Sequence, residues 1–96
     1  MEMNKLFGNS HYKVMNVALK PGESMPLHKT TSDAFIIVKT GLARLIFSDK
    51  EVELQQGSTA VIPAHKEHQL QVKDAFNAYI IFAAEGEIKF LNQPSI

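Results

Sequence analysis

The 96-residue sequence has no cysteine, which excludes disulfide bonds, zinc–thiolate sites and thiol chemistry. It also has no excess of charge, because ten Lys and Arg residues balance ten Asp and Glu residues. No basic cluster occurs along the chain. The electrostatic pattern typical of proteins that bind nucleic acid is therefore missing, and we expect no nucleic-acid partner.

Long hydrophobic runs are also missing. The longest, FIIV and YIIFAA, are far too short to span a bilayer. The N-terminal segment MEMNKLFGNSHYKVM lacks the apolar stretch of a signal peptide. We therefore expect a cytoplasmic protein with no membrane partner. The hydrophobic content of 45% is normal for a globular protein, and the length predicts a single domain, residues 1–96.

Hydrophobic residues alternate with a period of two along nearly the whole chain. Segments rich in Val, Ile, Phe and Tyr predict strands, namely YKVMNVALK, AFIIVKT, LARLIF, EVELQ, STAVIP, HQLQVK and FNAYIIFA. Turn-forming pairs such as Thr40-Gly41 and Lys73-Asp74 separate them. Without a convincing amphipathic helix, the pattern predicts an all-β fold, an antiparallel sandwich or jelly-roll barrel. The C-terminal GEIKFLNQPSI predicts a final edge strand or a tail.

Alternation within a strand indicates which side chains face inward. In HQLQV, His68 shares a face with Leu70 and Val72, while the two glutamines share the other face. If the chain around His28 is extended, His28 and Thr30 likewise share a face. The residues predicted to form the core are Phe35, Ile37, Leu45, Phe47, Val61, Ile62, Ile80 and Phe82.

Two spacings in the chain resemble those of the small single-domain cupins, whose motifs are written G-x5-H-x-H-x3-4-E-x6-G and G-x5-P-x-G-x2-H-x3-N. The first motif aligns without a gap on Gly22, His28, Thr30, Ala34 and Gly41. The second aligns without a gap on Gly57, Pro63, His65, His68 and Val72. The resemblance covers about residues 14–83. It implies a cupin barrel with a pocket at one end and a homodimer built through edge strands.

The residues at the ligand positions depart from the family pattern. The resemblance implies a metal site of three histidines and a glutamate, of which this chain keeps His28 and His68 but has Thr30 and Ala34 at the other positions. HKTTSDAF resembles a subgroup of small cupins whose first motif reads H-x-T-x-x-D-A. Because transition-metal sites usually have at least three protein ligands, we expect either no cofactor or a weakly bound divalent metal ion at His28 and His68.

Neighbouring polar residues are not expected to replace the missing ligands. Asp33 and Glu67 each lie one residue from a ligand position, so on a regular strand they point to the opposite face. Asp33 is expected to cap the turn before its strand. His65 stands at a glycine position of the second motif, and histidine is among the residues that tolerate positive φ. We therefore expect His65 in a surface turn, outside the site.

Three functions are compatible with these observations. The first is binding of a small molecule in a barrel pocket with an incomplete metal site. The second is a metal-dependent cupin enzyme, an oxygenase or isomerase that uses His28 and His68. The third is a structural or interaction module whose pocket is filled by side chains. The residues predicted to line the pocket are His28, Thr30, Phe35, His68, Leu70 and Val72. No Ser-His-Asp set, phosphate-binding loop or acid–base carboxylate pair indicates another enzyme class.

Overall fold

The computed structural model describes residues 1–91, which form eight β-strands. The strands are β1 (Glu2–Gly8), β2 (Tyr12–Leu19), β3 (Ser24–Thr30), β4 (Ala34–Phe47), β5 (Glu51–Gln55), β6 (Thr59–Ile62), β7 (His68–Ala83) and β8 (Ile88–Phe90). Within residues 1–91 there is no helix long and apolar enough to cross a membrane. The predicted all-β fold is confirmed. Of the predicted C-terminal strand or tail, residues 88–90 form a strand and residues 92–96 lie outside the described part.

The two long strands β4 and β7 organise the fold, because each takes part in two layers. Layer A has the strand order β6-β4-β7-β2-β1 and uses the first half of β4 and the second half of β7. Layer B has the order β5-β4-β7-β3-β8 and uses their other halves. All these pairings are antiparallel. The layers curl around one core, as in a β-sandwich closing towards a barrel.

Gly41 lies where β4 bends from layer A into layer B. Its φ is +97°, and a Cβ atom there would lie 2.2 Å from the carbonyl oxygen of Ala75 in β7. The β4–β7 register shifts between Val38 and Ala43, so the strand bulges but stays paired. Turns that would end the strands were expected at Thr40-Gly41 and Lys73-Asp74. That expectation is wrong, because a bulge redirects a strand without breaking its ladder.

The core lies between the two layers. Its buried apolar residues are Val17, Leu19, Met25, Ala34, Ile36, Val38, Ala43, Leu45, Phe47, Leu54, Ile62, Leu70, Val72, Phe76, Ala78, Ile80 and Phe82. Phe35, Ile37 and Val61 were expected in this core, but Phe35 and Val61 are 38% and 61% exposed, and Ile37 is only partly buried. Since neighbouring side chains alternate between faces, burial of Ile36, Val38 and Ile62 turns these three outward.

Candidate functional site

His28 and His68 face each other directly across the pairing of β3 with β7. Their ring centroids are 4.1 Å apart and their planes are inclined by 61°. Both side chains are buried, with 4% and 2% of their surfaces exposed. The structure therefore brings together the two histidines that the motif spacing singled out, although they are 40 positions apart in the sequence.

Each imidazole is held in one orientation by the backbone carbonyl two residues earlier in the chain. Nδ1 of His28 lies 2.7 Å from the carbonyl oxygen of Pro26, and Nδ1 of His68 lies 2.8 Å from that of Lys66. A carbonyl oxygen only accepts hydrogen bonds, so Nδ1 carries the proton that is donated to it. In the neutral ring Nε2 then has a free lone pair. Both rings can therefore accept a hydrogen bond from a ligand through Nε2.

Both imidazoles are neutral at pH 7. Burial, with a smaller contribution in the same direction from His68, lowers the pKa of His28 to about 4, against the opposing effect of its hydrogen bond to Pro26. Burial also lowers the pKa of His68, again opposed by its backbone hydrogen bond. Taking a charged imidazolium out of water is unfavourable, so the site presents acceptors and no positive charge.

The two rings line a small cavity inside the barrel. Its wall is formed by Met25, His28, Thr30, Ala34, Ile36, Leu45, Ile62, His68, Leu70, Ile80 and Ile88. The space open to the centres of water-sized molecules is about 30 Å³. Since one water needs roughly 10–15 Å³ by this measure, the cavity holds about two waters or a small part of a ligand. Apart from the two histidines and Thr30, its lining is apolar.

Thr30 and Ala34 occupy the positions where the resemblance places a histidine and a glutamate. The Thr30 hydroxyl donates a hydrogen bond of 2.7 Å to the carbonyl oxygen of Ser32, so its proton is already engaged. Ala34 contributes only a methyl group to the cavity wall. Neither residue replaces an imidazole or a carboxylate as a ligand for a transition metal.

Asp33, His65 and Glu67 lie outside this cavity. The Asp33 carboxylate accepts a hydrogen bond of 2.8 Å from the backbone N–H of Ala64. It therefore caps the turn before β7, rather than the turn before its own strand as expected. His65 is exposed and has a φ of 66°, in agreement with the expected turn conformation. The Glu67 side chain is exposed.

Phe35 and Val72, which were also predicted to line the pocket, are not part of it. Phe35 lies on the outer face of layer A and is 38% exposed. Val72 is buried in the core, but it borders a surface depression between β4, β5 and β7. It lies four residues beyond His68, which carries it along β7 past the end of the cavity, because a strand rises by about 3.3 Å per residue. Leu70 does line the cavity.

The contribution of β8 to the cavity was not predicted from the sequence. Ile88 forms part of the cavity wall, and the Phe90 ring lies 5.3 Å from the His28 ring. Backbone pairing places Phe90 opposite His28 and Ile88 opposite Thr30. The alternation of Ile88 and Phe90 around Lys89 was the available signal, but three residues are too few to distinguish a strand that covers the site from a tail.

The donor set does not fit a catalytic metal held by the protein alone. Within residues 1–91, no group of three or more His, Cys, Asp or Glu side chains could hold a metal ion. Two neutral imidazoles remain where catalytic metal sites usually have three protein ligands. The orientation of the rings is nevertheless that of metal-binding histidines, which usually donate their second N–H to a carbonyl or carboxylate.

A family model described as the cupin domain matches residues 15–84. The chain is a cupin. This confirms the resemblance seen in the two motif spacings, and the matched range covers both. A search of curated proteins gives no match, so the family assignment comes without an activity.

Solved structures show the same fold. A cupin-2 domain protein from Shewanella frigidimarina is 25% identical, with a TM-score of 0.74 over 83% of this cupin and 78% of that chain. A cupin superfamily protein from Desulfitobacterium hafniense is 21% identical, with a TM-score of 0.80 over 88% and 77%. The polyketide cyclase RemF from Streptomyces resistomycificus is 18% identical, with a TM-score of 0.84 over 97% and 72%. At such identities the likeness establishes the fold.

Proposed function

We propose that this cupin binds a small, largely apolar molecule that donates a hydrogen bond to Nε2 of His28, His68 or both. No catalytic metal held by the protein is part of this function. The observation that carries the proposal is the pair of neutral, backbone-anchored imidazoles in an otherwise apolar cavity. Small-molecule sites typically combine such an apolar wall with a few oriented polar groups.

The polarity of the site restricts the ligand. Both Nε2 atoms present lone pairs, so a carboxylate or phosphate would bring its own lone pairs against them. No lining residue supplies a positive charge to compensate, and an unpaired buried charge is strongly unfavourable. A hydroxyl, phenol or N–H group satisfies Nε2 instead, while its hydrocarbon part contacts residues such as Ile36, Leu45 and Ile80.

The position of β8 sets the size of the ligand. β8 pairs with β3, and backbone hydrogen bonds of 3.0 Å flank the strand, from Thr31 to Glu87 and from Leu91 to Leu27. Because Ile88 closes one side of the cavity, a ligand with more than a few heavy atoms has to displace this side chain. Short alcohols are therefore the appropriate first probes, and phenol is the larger probe that binds only if Ile88 moves.

A thermal-shift and NMR titration with matched probes tests the proposal. Phenol and short alcohols should raise the melting temperature and shift the imidazole nitrogen resonances, whereas benzoate and short carboxylates should not. His28→Leu and His68→Leu should each abolish the response. His11→Leu is the matched control because His11 is exposed. Equal binding of the carboxylates, or an unchanged response in both cavity variants, would overturn the proposal.

A second candidate function is a metal-dependent cupin enzyme in which substrate or water completes the ligand set. The orientation of both rings through Nδ1 favours it, because metal-binding histidines are held in this way. Elemental analysis of protein purified without added metal separates the two candidates. One equivalent of metal that disappears in both His28→Ala and His68→Ala would support the enzyme and contradict the first proposal. Absence of any metal and of any probe-induced shift would favour a purely structural module.

A further inference from the structure

The connection between β3 and β4 is polar, and its hydrogen bonds reach two elements that border the cavity. It begins with Thr30, the last residue of β3, and continues with Thr31, Ser32 and Asp33. We call these four residues the 30–33 segment. They contain the threonine and the aspartate of the sequence H-x-T-x-x-D-A, in which the proposed function gives Asp33 no part. The two elements are the turn before β7 and the strand β8.

The turn before β7, residues 63–66, is tied to the 30–33 segment by two hydrogen bonds. The Asp33 carboxylate accepts one of 2.8 Å from the Ala64 N–H, and the Thr30 carbonyl oxygen accepts one of 2.8 Å from the His65 N–H. His65 has a φ of 66°, which histidine tolerates but does not prefer. Such conformations persist where surrounding contacts impose them, so the two bonds hold the turn in its shape.

The same turn carries the group that orients His68. The Lys66 carbonyl oxygen accepts the hydrogen bond of 2.8 Å from Nδ1 of His68. Because Lys66 directly follows His65, relaxation of the turn would move this carbonyl relative to the ring. Without that bond, either ring nitrogen can carry the proton, and Nε2 is no longer a constant acceptor. The ring of His28 does not depend on the turn, since its partner Pro26 lies within β3.

The strand β8 is held by the same segment. The Thr31 N–H donates a hydrogen bond of 3.0 Å to the Glu87 carbonyl oxygen, and the Thr31 hydroxyl oxygen accepts one of 2.9 Å from the Glu87 N–H. At the end of β7, the Ser32 hydroxyl oxygen accepts a bond of 3.2 Å from the Ala83 N–H. Glu87 directly precedes Ile88, which closes one side of the cavity. Thr31 therefore fixes the start of the strand that carries this wall residue.

We propose that Asp33 and Thr31 are positioning residues of the cavity. Asp33 keeps Nε2 of His68 unprotonated, as the acceptor that a ligand meets. Thr31 keeps Ile88 in place and so limits the size of the ligand. Neither residue lines the cavity, and each acts through a backbone N–H that its side chain binds. Their role rests on the proposed function, because they prepare the cavity of that function for its ligand.

Imidazole nitrogen spectra of the ligand-free protein at pH 7 test the role of Asp33. In the wild type, both histidines should carry the proton on Nδ1, because both Nδ1 atoms face a carbonyl oxygen. Asp33→Ala should give a mixture of tautomers at His68, so that its Nδ1 and Nε2 resonances move towards each other, and should leave His28 unchanged. Asp33→Asn should restore the wild-type spectrum, because its amide oxygen can accept the bond from Ala64.

Asp74→Ala is the control for these spectra, because Asp74 is an exposed carboxylate in β7. It should leave both rings as in the wild type, and circular dichroism verifies that each variant is folded. An unchanged His68 tautomer in Asp33→Ala, or equal changes at His28 and His68, would overturn the role of Asp33. No ligand is present in this experiment, so its outcome is independent of whether ethanol or phenol binds.

Hydrogen exchange of the ligand-free protein tests the role of Thr31. Thr31→Val keeps the shape of the side chain but removes the acceptor for the Glu87 N–H. The readout is the Leu91 amide, which donates a bond of 3.0 Å to the Leu27 carbonyl oxygen beyond the far end of β8. Its exchange should become about fivefold faster, the factor that corresponds to one hydrogen bond. Thr59→Val, at an exposed threonine in β6, is the matched control and should leave the rate unchanged.

The range of ligands provides the second readout for Thr31. The melting-temperature shift given by phenol, relative to that given by ethanol, should be larger in Thr31→Val than in the wild type, because Ile88 moves aside more easily. Thr59→Val should leave this ratio unchanged. An unchanged exchange rate at Leu91, or faster exchange without a gain for phenol, would overturn the role of Thr31. If neither probe shifts the wild type, the proposed function is contradicted, and the exchange rate still decides whether Thr31 holds β8.

Discussion

The centroids of the His28 and His68 rings lie 4.1 Å apart, and each ring is held through Nδ1 by the backbone carbonyl oxygen two residues earlier in the chain. This relationship sets the chemistry of the cavity. Because both Nδ1 atoms donate to the backbone, both Nε2 atoms accept, and burial keeps both rings neutral at pH 7. Under the proposed function, we therefore expect the cavity to favour ligands that donate a hydrogen bond.

Protonation of His28 should destabilise the fold. Its pKa is about 4 in the folded protein against 6.5 for an unperturbed imidazole, so below pH 6.5 the unfolded chain binds more protons than the folded one. The stability that neutral His28 contributes is thus fully present above pH 6.5 and is lost as the pH falls towards 4. The free energy of unfolding should fall by on the order of 2 kcal/mol over this range. Urea unfolding at pH 7, 6 and 5 measures this.

The variants His28→Leu and His11→Leu show whether the effect belongs to His28. His28→Leu should reduce the pH dependence between pH 7 and 5, whatever its effect on the absolute stability, and leave the part that comes from the lowered pKa of His68. His11→Leu should leave the dependence as in the wild type, because His11 is exposed. An equally steep dependence in His28→Leu would show that another group is responsible.

Gly41→Ala should be much more destabilising than Gly57→Ala. Both glycines have positive φ, +97° and +85°, but only at Gly41 would a Cβ atom meet backbone, 2.2 Å from the Ala75 oxygen. Nothing lies within 4 Å of a Cβ at Gly57. We expect about 1 kcal/mol of lost stability at Gly57 from the conformation alone and more than about 2 kcal/mol at Gly41. Equal losses in denaturant unfolding would refute the role of Gly41 at the bend.

Ile88→Ala should enlarge the cavity and extend the range of ligands. Ile88 is partly buried and forms part of the wall, so its truncation should cost about 1–2 kcal/mol of stability. Bulkier phenols, such as those with one added methyl group, should then give larger thermal shifts than in the wild type. Lys89→Ala is the control, because the Lys89 side chain is exposed and lies one residue from Ile88. It should leave the ranking of the ligands by thermal shift unchanged.

Asp33→Ala should destabilise the protein by about 1 kcal/mol, the usual value for one hydrogen bond. The Asp33 carboxylate holds the backbone N–H of Ala64 in the turn before β7. Asp33→Asn should recover part of the loss, because its amide oxygen can accept the same bond. Asp74→Ala, at an exposed carboxylate in β7, serves as the control in thermal unfolding. A loss at Asp74 as large as at Asp33 would argue against a specific contribution of the Asp33 bond.

Local alternation predicted most of the strands, but it did not predict that β4 and β7 each run on without a break. The pattern predicted β2, β5, β6 and both halves of β4 and β7, together with the inward direction of His68, but it did not predict β3 as a strand. It divided β4 and β7 at residues that favour turns, because a bulge and a chain reversal use the same residue types. The strand β1 was missed, since its sequence EMNKLFG has no clear alternation and it is held by pairing with β2.

Motif spacing located the centre of the site, and its periphery depended on the fold. His28, Thr30 and His68 share the cavity because the pairing of β3 with β7 sets His28 opposite His68, and Thr30 follows His28 by two residues on the same face. Phe35 lies outside because its neighbours in β4 take the inner face. Ile88 lines the cavity because β8 pairs with β3. This pairing joins distant parts of the chain, and no local sequence pattern encodes it.

The amino-acid sequence by itself determined the all-β class, the cupin family and the absence of thiol chemistry, because these depend on residue types and their spacing along the chain. The tertiary structure alone decided that the two imidazoles meet, that their Nδ1 atoms are occupied, and that Phe35 lies on the outer face of layer A. The physical reason is register: the neighbour of a side chain in a sheet is set by pairing between strands distant in sequence. Pairing of this kind also selects which of two alternating faces is buried.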